Sequence, residues 1–297
     1  MSVDKRSGDN RIWLAGIYYI SASLLYVLSI FVEALQPEIF AAVLMLGTAA
    51  ELIIKKRITF RSFTDKMIAA YFLYNALSVI WLVKSGMPYT VYLWEFAVSL
   101  LPVIFYYVGR ACNDGFMQRK NTFAFYGSFI FAMLIMAVSV ILIPVIMPQL
   151  HTDWSEMLPD ISFIAALPGA IGERSERWIA AVNNMYSTWL GNGLGANGFK
   201  AIGIEDAHAV TDGGLVKMYC EQGIFGFSMF IYTVILSFKS GLKNIRKYCA
   251  ELVLTAAALI LSVGSDVLSY QLTAPVFWFA AGRIMSAAAD GEQTDRL

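Results

Sequence analysis

The sequence predicts an all-α, polytopic integral membrane protein with about eight transmembrane helices and one large loop on the non-cytoplasmic side. Two observations carry this prediction. Of the 297 residues, 58% are hydrophobic and only 15% are charged, which lies outside the range of ordinary soluble domains. Apolar runs of about 20 residues, the length needed to cross a bilayer, also recur along the chain.

The predicted helices divide the chain into three parts. Residues 1–148 hold five helices, residues 149–213 form the large loop, and residues 214–297 hold three helices and a tail. The first apolar run exceeds a signal-peptide core and no small-residue cleavage site follows it, so we expect it to remain as a helix. The eight runs cover residues 12–32, 37–54, 67–84, 89–109, 122–148, 214–238, 249–268 and 271–288.

The basic residues predict the orientation of these helices. Lys and Arg in short loops are concentrated on the cytoplasmic side of membrane proteins. With the N-terminus inside, 17 of the 22 basic residues fall on cytoplasmic segments. The sequence therefore predicts that both termini are cytoplasmic, that the large loop lies outside, and that Asn197 within it is reachable from that side. The five outer basic residues are Lys84, Arg174, Arg177, Lys200 and Lys217.

Composition also excludes several classes of function. Cys112, Cys220 and Cys249 are scattered and fall in helices or at cytoplasmic ends, which argues against a disulfide framework or a metal cluster. We therefore expect neither a metal nor a cofactor. The formal net charge is zero, so nothing indicates a nucleic-acid partner.

The large loop is where polar chemistry concentrates. It is about 65 residues long, a length that is usually functional, and it contains both histidines of the chain, His151 and His208. Apolar residues recur at helical spacing between Trp178 and Trp189. The pattern predicts an amphipathic helix over residues 174–189 that lies on the membrane surface.

Two arginines stand at the start of that helix. Arg174 and Arg177 are three residues apart and share one side of it. Their guanidinium groups offer permanently charged, planar forks that match phosphate oxygens. The alternative is that they anchor the helix at the interface or pair with Glu173 and Glu176.

A glycine-rich segment follows, from Gly191 to Gly198. No predicted β-strand precedes it, and a nucleotide-binding glycine loop requires such a strand. Gly193 and Gly195 instead favour a tight turn with positive φ and close backbone approach. The N–H groups of such a turn could face a ligand pyrophosphate, or the segment could simply end the helix.

Four ionisable residues surround the start of the sixth predicted helix. His208 and Asp212 could act as a general base toward a substrate hydroxyl, whereas a surface histidine and a helix N-cap at Asp212 are the alternatives. Lys217 and Glu221 are four residues apart on the helix. Ionisable groups in membrane helices face a protein interior or a polar cavity, so these two form either a structural ion pair or part of a site. Glu95 and Asp266 point to the same interior.

The order of these motifs resembles the bacterial O-antigen ligase and repeat-unit polymerase family. The matching elements are Arg174 to Trp178, Gly191 to Gly195, His208 or Asp212 before Leu215, and Glu221 to Gly226. The resemblance covers about residues 170–285. Ligases of the family usually place His-Asn nine residues before the glutamate, and here Asp212 holds that slot, which favours a polymerase. The chain is also shorter than is common in the family.

The resemblance implies a glycosyltransferase of the bacterial inner membrane with a periplasmic site. It would polymerise, or ligate, undecaprenyl-pyrophosphate-linked oligosaccharide repeat units for O-antigen, capsule or exopolysaccharide. A flippase, a chain-length regulator and membrane lipid are the implied partners. In this interpretation the two arginines bind pyrophosphate, Asp212 or His208 is catalytic, and Gly193, Gly195, Lys217 and Glu221 support the site.

A membrane transporter, or a non-catalytic protein of polysaccharide export, is the rival interpretation. Several apolar helices and the intramembrane carboxylates Glu95 and Glu221 would suffice for it. The sequence shows no inverted repeat and no pair of interrupted helices, the features typical of secondary transporters. This absence favours the enzyme.

Overall fold

The structure is a computed structural model that describes residues 13–32, 36–58, 60, 62–112, 122–135, 138, 174–204, 208–210 and 212–294. These residues are mostly helical and contain no β-strand. The predicted all-α class is therefore confirmed. His151, the first part of the large loop and the end of the predicted fifth helix lie outside the described residues.

Eleven helices are named here in chain order. They are α1 (Trp13–Phe31), α2 (Pro37–Ile54), α3 (Phe63–Leu77), α4 (Val79–Lys84), α5 (Tyr89–Glu95), α6 (Ile104–Ala111), α7 (Thr122–Ile135), α8 (174–183), α9 (Gly214–Lys243), α10 (Ile245–Gly264) and α11 (Ala274–Thr294). A π-helical turn, Phe96–Leu100, and a 3-10 turn, Leu101–Val103, join α5 to α6.

Five described segments are long and apolar enough to cross a membrane. They are Pro37–Ile54, Phe63–Lys84, Tyr89–Ala111, Gly214–Lys243 and Ile245–Gly264. The helices at Leu14–Ser29 and Thr122–Ile135 are apolar but shorter. A membrane-embedded protein is thus supported, whereas the count of eight spans and the orientation stay predictions.

Several helix boundaries differ from the sequence prediction, and local side-chain contacts explain the first of them. The third helix begins at Phe63 rather than at residue 67, because Ser62 and Asp65 form a capping box in which each side chain accepts the other's backbone N–H. Near the C-terminus, α10 ends at Gly264 and α11 begins at Ala274. The intervening segment carries Asp266 in a non-helical conformation, where the sequence predicted a helix up to residue 268.

The segment Tyr89–Ala111 is the central helix of the bundle, because 67% of it is buried against 28% of each of the other four spans. Pro102 lies just after the π-helical turn, and proline cannot donate the backbone hydrogen bond that would continue a regular helix. Further along, Gly109 and Gly282 let the backbones of α6 and α11 touch, since a Cβ on either would overlap the other helix. At the interruption, Glu95 is buried and accepts a hydrogen bond from Ser99.

Candidate functional site

Helix α9 is broken at Gly223, where the backbone adopts φ 61° and ψ −171°. A glycine-rich loop, residues 188–198, docks into the break. Four backbone hydrogen bonds cross between them: Asn192 N to Cys220 O (2.8 Å), Gly193 N to Glu221 O (2.9 Å), Ile224 N to Thr188 O (2.9 Å) and Phe225 N to Trp189 O (3.2 Å). The Tyr74 hydroxyl also contacts the carbonyls of Leu190 and Gln222, at 2.9 and 2.8 Å. The loop therefore satisfies the polar groups that the break releases.

The glycines of this loop form the predicted tight turns. Gly191, Gly193 and Gly195 have φ values of 78°, 92° and 93°, a region that is costly for residues with a side chain. A Cβ on Gly193 would lie 2.5 Å from Cβ of Leu82, and one on Gly195 would lie 2.5 Å from the carbonyl oxygen of Val91. The N–H of Gly193, however, is engaged by Glu221. The expectation that it faces a ligand pyrophosphate is therefore wrong for this structure, because the helix break takes that donor.

A chain of asparagine contacts links the loop to His208 and Glu221. The Asn197 side chain donates to the carbonyl oxygen of His208 at 2.6 Å and accepts from the Asn192 amide at 2.9 Å. The backbone N–H of Asn197 donates to Oε1 of Glu221 at 3.2 Å. Asn197 is 1% exposed, so the expectation that it is reachable from outside is wrong. The sequence offered no signal for this bridging role.

The predicted phosphate-binding arginine and the predicted base meet directly. Arg174 Nε lies 3.1 Å from Asp212 Oδ2, with the two side chains 35% and 21% exposed. The N-cap of α9 is Gly213, and no side chain caps it. The alternative role of Asp212 as the N-cap is therefore wrong, because its carboxylate is turned to the guanidinium group. Arg177 follows one turn later on α8 and is exposed.

Helix α8 is anchored to the start of α9 by apolar contacts. Ala181, Val210 and Cys220 form a buried cluster on which Trp178 packs. A Cβ on Gly213 would lie 2.7 Å from the indole nitrogen of Trp178, so only glycine permits this approach. A helix is present over residues 174–183 and ends before the predicted residue 189, where the chain turns into the glycine loop; its position on a membrane surface stays a prediction.

A buried charged cluster lies one turn into α9. Lys217 Nζ donates to Glu95 Oε1 at 2.5 Å, to Asp266 Oδ2 at 2.7 Å and to Ser269 Oγ at 2.8 Å, and Lys217 is 1% exposed. Ser99 also donates to Glu95. Lys217 and Glu221 do not form the ion pair that their spacing suggested. Glu95 and Asp266 lie in the same buried cluster, as predicted, and it is these two carboxylates that bind Lys217.

A cavity of about 300 Å³ lies beside this cluster. Its lining combines Glu95, Lys217 and Asp266 with the aromatic residues Tyr26, Trp94, Phe199 and Tyr270. The ammonium of Lys200 lies over the ring of Trp94, 4.4 Å from its centroid. Aromatic faces beside carboxylates suit a ligand that is rich in hydroxyl groups. Among the described residues, no group of three or more His, Cys, Asp or Glu is arranged to hold a metal ion.

No model of a known protein family matches the chain, and neither a curated protein nor a solved structure does. Its function has to be inferred from its own residues and their geometry. Three features supply that geometry: the Arg174–Asp212 pair, the glycine loop in the break of α9, and the charged cluster around Lys217.

Proposed function

We propose that the chain is a membrane glycosyltransferase that joins undecaprenyl-pyrophosphate-linked oligosaccharide repeat units on the outer face of a bacterial inner membrane. One observation carries the proposal: the four motifs that resemble the O-antigen polymerase and ligase family pack against one another. Trp178 lies on Gly213, Arg174 pairs with Asp212, and Gly191 and Gly193 dock at the Glu221–Gly223 break. Motifs up to about 50 residues apart thus form one unit.

The chemistry follows from the Arg174–Asp212 pair. A partly exposed ion pair contributes only about 0.2–1 kcal/mol, so a doubly charged pyrophosphate can compete for the guanidinium group. Arg174, together with Arg177, then stabilises the leaving lipid pyrophosphate. Releasing Arg174 leaves the Asp212 carboxylate without its partner and able to accept a proton.

In the transfer step, the hydroxyl oxygen of the acceptor sugar bonds to the anomeric carbon of the donor. The bond from that carbon to the pyrophosphate oxygen breaks, and the hydroxyl proton passes to Asp212, or to His208 in the alternative assignment. The supporting residues act indirectly. Gly193 and Gly195 permit the close approach of the loop, while Lys217 and Glu221 hold α9 against it and against the Asp266 segment.

A charge exchange tests the catalytic use of this pair. Cells that lack the chain would be complemented with Arg174→Asp, Asp212→Arg or the double variant, and polymer length would be followed on gels alongside membrane abundance. The double variant restores an ion pair of reversed direction, yet we expect no polymer, because neither the phosphate ligand nor the base is at its position. Asn184→Ala, at an exposed residue just after α8, is the control and should leave polymer unchanged.

Normal-length polymer from the double variant would assign the pair a structural role and overturn the proposal. His208→Ala and Asp212→Asn in the same assay decide which residue is the base. If the variants instead lose the transfer of finished chains to a lipid core while chain length stays normal, the ligase alternative within the same family is favoured.

One observation favours transport as a second candidate. The expectation that no pair of interrupted helices exists is wrong, because both α9 and the central helix Tyr89–Ala111 are interrupted. Lys217, Glu95 and Glu221, which these two helices carry, are buried. Interrupted helices around midplane charges are typical of secondary transporters. Ion-coupled uptake of a polysaccharide precursor by proteoliposomes, unaffected by the Arg174 and Asp212 variants, would support transport over glycosyl transfer.

A further inference from the structure

A small chamber of about 20 Å³ lies between α3, the π-helical turn and the break in α9. Its polar lining comes from Tyr71, Asn75, Ser99, Glu221, Gln222 and Ser269. One water-sized occupant needs roughly 10–15 Å³, so the chamber holds a single water molecule or a single dehydrated ion. Neither residue of the partly exposed Arg174–Asp212 pair lines it.

Two amide side chains leave acceptors unpartnered in this chamber. Asn75 and Gln222 are 0% and 3% exposed. Their amide nitrogens donate to the carbonyl oxygen and the hydroxyl of Tyr71, both at 2.9 Å. The oxygens Oδ1 of Asn75 and Oε1 of Gln222 have no hydrogen-bond partner. Buried acceptors of this kind need a donor or a cation to offset the loss of water.

The charges around the chamber favour a cation over a water molecule. Among the described residues, the ammonium of Lys217 faces three buried carboxylates, and it is bound to only two of them, Glu95 and Asp266. The third, Glu221, is 2% exposed and accepts only uncharged backbone N–H groups, from Asn197 and Gly195. An uncompensated carboxylate is unfavourable in a low-dielectric interior. A positive charge close to Glu221 would restore the balance.

We propose that the chamber binds one Na⁺, coordinated by Asn75 Oδ1, Gln222 Oε1 and the Glu221 carboxylate. These are hard oxygen ligands with a single ionised group, and a chamber of this size admits neither the retained waters nor the several carboxylates that a divalent ion requires. The ion would join α3 to the first half of α9 directly at the break. Its binding therefore stabilises the discontinuous helix, whichever function the protein performs.

The test is the thermal unfolding midpoint of the full chain in detergent, measured as NaCl replaces choline chloride at constant ionic strength. We expect a saturable rise of at least about 3 °C, because an ion that binds only the folded state stabilises it by mass action. The same midpoint in both salts would overturn the proposal. It would indicate that the chamber holds a water molecule, or that Glu221 is protonated and needs no cation.

Variants locate the effect. Asn75→Leu and Gln222→Leu should each lose the Na⁺-dependent rise, whereas Asn184→Leu, at an exposed amide, should keep it. If both chamber variants keep the full rise, the ion binds elsewhere and the proposal fails. The wild-type comparison remains decisive if either chamber variant does not fold.

Discussion

Replacing Gly223 by alanine tests whether the glycine loop and the break in α9 stabilise each other. The backbone at Gly223, with φ 61° and ψ −171°, lies in a region that is essentially restricted to glycine and that costs other residues about 1–3 kcal/mol. An added Cβ would also lie 2.5 Å from the nitrogen of Gly191 and 2.6 Å from the carbonyl carbon of Trp189. The loop would have to move away from the helix.

The magnitude follows from the bonds that this movement stretches. Losing two of the four backbone hydrogen bonds across the break costs about 1–3 kcal/mol, at about 0.5–1.5 kcal/mol each. Added to the strain, the expected loss in the free energy of unfolding is about 4 kcal/mol, within a factor of two. For a chain of this size, that corresponds to a fall of roughly 8–16 °C in the unfolding midpoint.

The assay compares unfolding midpoints of purified variants in the same detergent, and Gly203 provides a matched control. Its φ is 84°, yet a Cβ there would meet nothing within 4 Å. Gly203→Ala therefore carries only the left-handed strain, about 1–2 kcal/mol. Midpoints for Gly223→Ala and Gly203→Ala that agree within about 3 °C would refute the idea that close approach of the loop makes glycine necessary in α9.

Three further predictions concern the buried charges and the cysteines. Lys217→Met should lower the free energy of unfolding by about 3–5 kcal/mol, because it leaves Glu95 and Asp266 without their shared cation. A triple variant that also carries Glu95→Gln and Asp266→Asn should regain most of the lost unfolding midpoint. If it does not, the loss comes from packing and the electrostatic explanation is wrong. Burial raises the pKa of the Cys112 thiol to about 12. N-ethylmaleimide at neutral pH should therefore modify the exposed Cys249 and spare Cys112, which peptide mass spectrometry would show. Equal modification of both cysteines would contradict the burial of Cys112. Because the connection between α9 and α10 is predicted to be cytoplasmic, a membrane-impermeant maleimide should label Cys249 only after cells are lysed, and labelling of intact spheroplasts would reverse the predicted orientation.

Much of the fold was predictable because it depends on local composition. Apolar runs of membrane-spanning length located the helices to within a few residues, and the helical spacing of Trp178, Ala181 and Val182 revealed α8. The errors occurred where side chains act on the backbone. The Ser62–Asp65 capping box extended α3. The chain leaves α10 at Gly264, and Asp266, ahead of the 3-10 turn Val267–Ser269, accepts a hydrogen bond from Lys217.

The sequence suggested which residues form the candidate site, but not which of them contact one another. Sequence alone proposed Lys217 and Glu221, since charged residues are costly within membrane helices. It proposed Arg174 and Asp212 because their side chains suit phosphate binding and proton transfer. Spacing along one helix suggested that Lys217 pairs with Glu221. The tertiary structure instead offers Lys217 two carboxylates from other elements, which a one-dimensional pattern cannot reveal.

The sequence by itself determined that this is a helical chain with segments long and apolar enough to span a membrane, and that most of its candidate site residues follow residue 173, because hydrophobic length and side-chain charge are properties of each segment. Only the tertiary structure decided that α9 breaks at Gly223. A glycine in a helix is compatible with an unbroken helix, and the break becomes favourable once the loop at Gly191 and Gly193 supplies the missing hydrogen bonds. That exchange joins residues about 30 positions apart, so it depends on their meeting in three dimensions.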